Sequence, residues 1–502
     1  MSLTVDQLAR SPETFLGEAE RDVSSRVDGK LIATVKFENI TPTVIGGYNA
    51  ATGSLELELA ESVRVTEIKG LWRWWARALL LGCKGRQSWN LADEVRRRVA
   101  ELLGSTEKPG KAEIRLAMET DAYKLFKKRK DQLQDIARTY SLEKINKIIS
   151  KSKGETPRGS QPADYSFQKL AESIPRTRII AMGVPYTKKE IERRKKSFRG
   201  GQIPDSERKK MVEENAKVLT EKLFVFHHGE LKGEIKVYES LRGNVNLTDA
   251  ERNFLVGSLL VALTFGGLGA ITARGFGAVS LSVSVKRASR EFERVTGKIF
   301  KGVDVEENLK RLVELTLNYG RRLIGGAAQA ASSIPKYSSA DPNNAFRVEV
   351  VNVNAGNSFE LLEKIGRATL KSEWKRVKGF PLRKKGGCLH TWILGLPRMR
   401  LGKGYYYKGR KSESRRRSAV YVRPLVPPGS GRGRWIVAIY GFLSEDWNVE
   451  SLYHQGIALK KVKEYPVTGS AGSDKPMVNA SDDRFIKEVF HTAFCFVKRL
   501  LR

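Results

Sequence analysis

The 502-residue sequence predicts an α+β protein. A ferredoxin-like unit, interrupted by a long basic insertion, occupies residues 1–287, and a second mixed unit occupies 288–502. Three observations lead there. Between residues 31 and 285 the hydrophobic period switches in the order strand, helix, strand, insertion, strand, helix, strand. A second succession of strands and helices follows. Lys and Arg exceed Asp and Glu by 34, and most of the excess falls in two stretches, 121–220 (net +12) and 381–440 (net +14).

The first strand is read from Leu31, Ala33, Val35 and Phe37 alternating with Thr34 and Lys36, the period of a half-buried strand. A turn-rich segment follows from Thr41 to Gly47. KGLWRWWARALLLG then puts Leu71, Trp75, Ala78 and Leu79 on one helical face, with Gly82 at the helix end. AEIRLAM (112–118) reads as the next strand. Residues 121–220 carry KKRK, ERRKK and ERKK among Gly, Pro and Ser, an insertion expected to be partly ordered at best without a partner. LFVFHH and GEIKVYES read as strands, and Thr248 with Glu251 forms a capping box opening a helix. AVSLSVSV closes the unit. In the second unit a long helix spans 305–323 and stops at Gly325 and Gly326. FRVEVVNVN, WILGL, SAVYVRPLV and RWIVAIYGF read as strands, SFELLEKIGRATL and FIKEVFHTAFCFVKRLL as helices.

Composition excludes several classes. No run of 18 apolar residues exists, so no helical membrane span is expected, and the first 30 residues lack the apolar stretch of a signal peptide. Three scattered cysteines fit neither a disulfide framework nor a structural zinc site. The chain reads as cytoplasmic, with no cofactor. So large a basic excess points to a phosphate polymer as partner.

Three segments carry the candidate chemistry. Gly266-Gly267-Leu268-Gly269 through Arg274-Gly275-Phe276-Gly277 packs five glycines around an arginine between a helix and a strand. Such backbone amides can form an anion-binding nest, so phosphate contact is expected here, against the alternative of a tight helix-to-strand connection. Neither a Walker A spacing nor G-x-G-x-x-G fits. On the tryptophan-rich helix, Lys69, Arg73 and Arg77 form a stripe at i, i+4 and i+8. That stripe is suited to a phosphate backbone, with Trp74 placed to stack on a base; Trp72 and Trp75 are assigned to the core. Residues 381–435 interleave Arg398, Arg416 and Arg423 with tyrosines and tryptophans, a composition that suits single-stranded nucleic acid. Five histidines stand outside any metal-ligand or nucleophile spacing. His227 or His228 is the one candidate general base, which leaves a metal-independent endoribonuclease acting on guide RNA precursor as the alternative reading.

ITPTVIGGYNA (40–50), EIKGLWRWWARAL (67–79) and GGLGAITARGFGAV (266–279) together resemble the signature segments of RAMP proteins of CRISPR systems. The tryptophan-rich helix narrows the resemblance to the first-numbered subunit type of Cmr, the type III-B effector. LGLPRMR and RRRSAVYVRP resemble the family's later segments, with Ala419 where proline is usual. The resemblance implies two ferredoxin-like, RRM-like RAMP domains. It also implies a non-catalytic place in a ribonucleoprotein of antiviral defence, near the 3′ region of the guide RNA. The implied partners are guide crRNA, single-stranded target RNA and the RAMP backbone subunits, with no membrane. The RNA-facing positions expected from motif and resemblance are Gly46, Gly47, Lys69, Arg73, Trp74, Arg77, Gly267, Gly269, Arg274, Gly275, Phe276 and Gly277, with Arg398, Arg416 and Arg423 from the second unit.

Overall fold

The computed structural model describes residues 29–46, 53–54, 56, 59–84, 89–149, 185–198, 202–240, 246–325, 334–342, 346–374, 391–395, 398–400, 403–408, 413–414, 417–429, 434–444, 452–454, 457–458 and 483–502. Gly47 and Arg416, and most of the basic 381–435 segment, lie outside these residues.

The main elements are β1 (Leu31–Asn39), α1 (Val65–Gly82), α2 (Trp89–Leu103), β2 (Ala112–Met118), α3 (Ala122–Ile149), α4 (Lys188–Ser197), α5 (Asp205–Leu223), β3 (Lys232–Glu239), α6 (Asp249–Val261), β4 (Val279–Val285), α7 (Glu291–Phe300), α8 (Val305–Ile324), β5 (Phe346–Val353), α9 (Ser358–Ala368), β6 (Val420–Val426), β7 (Trp435–Phe442) and α10 (Asp483–Leu501). The first sheet runs β2-β3-β1-β4 and the second β6-β7-β5, with every pairing antiparallel.

Strand periodicity sets four layers. In β1, Ala33, Val35 and Phe37 are buried while Lys36 on the opposite face is exposed. The buried face packs on α1 and α6 in one apolar cluster with Trp72, Trp75, Phe254 and Leu259. The same cluster takes in Phe346, Val348, Ala438, Tyr440 and Phe442 from the second sheet, so the helices are covered on both sides. Alternate residues of those strands, Val351, Val353, Val437 and Ile439, point the other way and pack with Leu361 and Ile365 of α9 and Phe490 and Phe494 of α10. The order is therefore sheet, helices, sheet, helices. Helices α7 and α8 belong to the first of these cores through Phe292, Val295, Leu309 and Leu312. Their position in the sequence alone predicts them in the second unit.

Local signals hold where the chain makes its own caps. Thr248 Oγ1 accepts from Glu251 N at 3.2 Å while Glu251 Oε2 accepts from Thr248 N at 2.8 Å, and α8 ends on Gly325 in the left-handed region. Two strand readings fail. LFVFHH makes a single bridge, Thr43 to Phe226, because Phe224 and Phe226 are both drawn into the core. Thr391–Leu394 is a 3₁₀ turn with Trp392 fully buried. The described part of the insertion is helical and packed: Ile145, Tyr186, Ile191 and Met211 make a small cluster of their own.

Candidate nucleic-acid interface

The glycine-rich loop is closed on the protein itself. Leu268 N donates to Gly277 O at 3.0 Å, Ala270 N to Val44 O at 2.8 Å, Gly275 N to Thr272 O at 3.3 Å and Gly277 N to Pro42 O at 3.0 Å. Gly269 N donates to Glu67 Oε1 at 2.6 Å, so a carboxylate of the chain sits where a phosphate was expected. Burial holds that carboxyl above its usual range, partly offset by the Gly269 amide and Arg64. The glycines are needed for close approach within the chain. A Cβ on Gly277, at φ +60°, would lie 1.8 Å from Leu268 O, and one on Gly267, at φ +74°, would lie 2.1 Å from the Arg423 guanidinium.

Arg274 and Arg423 exchange places across the two units. Arg274, 4% exposed, leaves the loop and enters the second unit. There it donates to Leu394 O at 2.8 Å, Val420 O at 3.0 Å and Ser418 Oγ at 3.2 Å. Arg423, 1% exposed, leaves β6 in the reverse direction and donates to Gly277 O at 2.9 Å, Phe276 O at 3.1 Å and Thr264 O at 3.3 Å. Burial brings the Arg423 pKa down to about 10, which still leaves it charged at neutral pH. Phe276 is buried beside Ile365 and Val422. These residues join the two units, so the expectation that Arg274, Phe276, Arg423 and the loop glycines face RNA gives way to the tight-connection alternative. The physical reason is that the terminal guanidinium nitrogens and the amides of Gly269, Gly275 and Gly277 already donate within the chain, and Phe276 is covered by apolar side chains. The aromatics of the second unit follow suit: Trp392 and Trp435 are core, and Tyr421 stacks on Tyr440 with centroids 5.0 Å apart.

The other predicted stripe stands on the surface. Trp72 and Trp75 of α1 are buried as expected, with Trp72 Nε1 donating to Ser258 Oγ at 2.8 Å. Arg77 is exposed and Lys69 half-buried on the outer face. Arg73, half-buried, donates to Leu103 O at 3.1 Å and Gly104 O at 2.7 Å, capping the C-terminal end of α2. Trp74 is 36% exposed and packs edge-on against Trp75 and Phe442. Helix α2 adds Arg96 and Arg97, both exposed. Sequence reasoning missed them, although the RRR run at 96–98 was a visible signal. The cations are crowded. Burial and then the neighbouring charges of Arg73 and Arg96 lower the Arg77 pKa, and burial and then Arg73 lower that of Lys69, with Glu113 acting the other way. By contrast, the open face of the first sheet is charge-balanced, with Lys36 and Lys236 on Glu234 and Lys232 on Glu38.

Gly46 is exposed beside Arg64, whose Nη2 lies 3.4 Å from its carbonyl. Arg398 opens a short strand paired with Tyr405. His227 packs edge-on against Phe359 at 5.4 Å and His228 is exposed. Among the described residues no cluster of His, Cys, Asp and Glu could hold a metal, and no helix is long and apolar enough to cross a membrane.

Residues 36–280 match the model of the RAMP superfamily. Over 269 residues the chain is 28% identical to the CRISPR system CMR subunit Cmr1 of Saccharolobus solfataricus, covering 50% of this chain and 54% of that protein. Residues 36–280 are therefore similar to the RAMP superfamily, and the chain resembles Cmr1. It spans about half the length of that curated relative. Among solved structures, it is similar to a chain of the Type III-B Cmr-beta bound to cognate target RNA and AMPPnP in the presence of ssDNA. That match has a TM-score of 0.52 at 15% identity, over 93% of this chain and 100% of that one. A second Type III-B Cmr-beta structure bound to cognate target RNA gives a TM-score of 0.50 at 15% identity, with the same coverage. At that identity the likeness shows the fold, a mixed α+β architecture with antiparallel sheets.

Proposed function

We propose that this chain is a subunit of a type III-B CRISPR effector that binds single-stranded RNA through its phosphates and cleaves nothing itself. The observation that carries the reading is the α1/α2 ridge, where Lys69 and Arg77 each lie in the field of Arg73, Arg77 also lies in that of Arg96, and Arg77 and Arg96 are exposed. Cations held that close repel one another, and an anionic polymer laid across them removes the repulsion. Likeness to a CMR subunit and to Type III-B Cmr-beta chains solved with target RNA supports the choice of polymer. The first sheet, β2-β3-β1-β4 with α1 and α6 on one face, is the ferredoxin-like plan interrupted by α3–α5. The second, β6-β7-β5, follows the same plan without its fourth strand. The partners proposed are guide and target RNA and neighbouring RAMP subunits, with the chain near the guide 3′ region and sequence left to base pairing.

The test is a binding titration of the full chain on labelled single-stranded RNA between 50 and 200 mM salt. Each phosphate neutralised contributes a slope of about −0.7 in log affinity against log salt, so three ridge cations predict about −2. Affinity that does not change with salt refutes the reading.

A further inference from the structure

The most exposed large apolar side chain among the described residues is Trp89, the first residue of α2, at 68%. A tryptophan that open in a soluble fold requires a reason. The indole is held in place: the Lys336 ammonium lies 4.3 Å from the ring centroid, and Tyr337 meets the ring edge to face at 5.6 Å. Those two neighbours fix the ring while its high exposure leaves a broad π surface open to solvent.

Its placement relates it to the ridge. Seven residues separate Trp89 from Arg96, close to two full turns, so both lie on one face of α2 about 10 Å apart along the axis. Arg96 is in turn close enough to Arg77 to perturb it. Arg73 reaches the far end of α2 at Leu103 and Gly104. The antiparallel pair α1 and α2 thus carries a track running from Lys69 and Arg73, through Arg77 and Arg96, to Trp89 and Lys336. Glu113 acts on Lys69, and the two ion pairs on the track are Asp93 with Arg96 at 3.3 Å and Glu94 with Lys84 at 3.5 Å. Both are partly or fully exposed pairs of the weak kind that a phosphate displaces. The remaining exposed large apolar side chains are Leu59, Trp74, Leu142 and Val303, scattered singly. A lone aromatic ring among cations suits a nucleobase with its phosphates better than the apolar centre of a protein interface.

We propose that Trp89 is a stacking platform for one unpaired nucleobase of the RNA whose phosphates follow the α1/α2 ridge. This rests on the ridge being the RNA contact. The test compares two probes on the full chain, a labelled single-stranded uridine oligomer and inorganic polyphosphate, which carries phosphates without bases. Trp89→Ala lowers oligomer affinity by on the order of tenfold, and Trp89→Phe restores most of it. Polyphosphate binding is unchanged in Trp89→Ala. Arg77→Ala with Arg96→Ala weakens both probes and flattens the salt slope. If Trp89→Ala binds the oligomer like wild type while the arginine variant loses binding, stacking is overturned and the ridge stands. Equal loss of both probes in Trp89→Ala, or loss with no rescue by Phe, also overturns stacking. A wild-type chain that binds no oligomer ends both readings. Unchanged melting temperatures verify that the variants fold, and Trp89→Phe carries the comparison if the alanine variant does not.

Discussion

Arg274 and Arg77 both belong to motif-like segments of the sequence, and the fold gives them opposite roles. Arg274 is 4% exposed and donates into the carbonyls of Leu394 and Val420. Arg77 stands exposed on α1, within the fields of Arg73 and Arg96. A guanidinium surrounded by carbonyl oxygens fixes geometry, and one surrounded by other cations needs an anion. Residue type is the same in both cases. What separates them is whether the donors are already satisfied.

The sharpest way to break this contrast is Arg423→Leu. It takes the guanidinium away from the carbonyls of Thr264, Phe276 and Gly277, the last of which keeps only the Leu268 amide, and should destabilise the fold by about 3 kcal/mol, read from the denaturation midpoint. A variant of wild-type stability with weakened RNA binding would move Arg423 to the other side of the comparison. Next in size is Arg77→Glu with Arg96→Glu. RNA affinity should fall tenfold or more at low salt while the melting temperature stays within about 2 °C of wild type. Circular dichroism showing unfolding would make the ridge structural. The smallest effect concerns Glu67. Its folded pKa is raised above 4.5 by burial, so the folded state binds the proton more tightly and stability declines as pH rises through the window above 4.5. In Glu67→Gln that decline should be absent, measured as the difference in melting temperature between pH 4 and pH 7.

Much of the fold was legible because it rests on local period. Ala33, Val35 and Phe37, or Val279 and Leu281, announce their buried face by alternation. Trp72 and Trp75 sit where a 3.6-residue period puts them. Thr248 and Glu251 cap α6 as their spacing requires. The errors arise where distant residues decide. The order around Gly267–Gly277 carried the pattern of an anion nest, but Glu67, some 200 positions away, fills it, and Arg423 fills the space beside Gly267. Helices α7 and α8 looked like the start of a new unit because the chain order changes there, while their apolar faces are claimed by α6. Trp89 drew no attention because nothing in its local sequence says whether a tryptophan will find a core.

The crossed arginines have a consequence for how the molecule comes apart. Each unit supplies the cation that satisfies carbonyls of the other, and the apolar cluster around Trp75 runs without a break into Phe346 and Tyr440. Neither half has a finished interior alone. A cut near residue 287 would separate α6 from α7 and α8 and leave an arginine missing from each fragment. The whole should therefore melt in a single calorimetric transition, and the halves should regain structure only when expressed together.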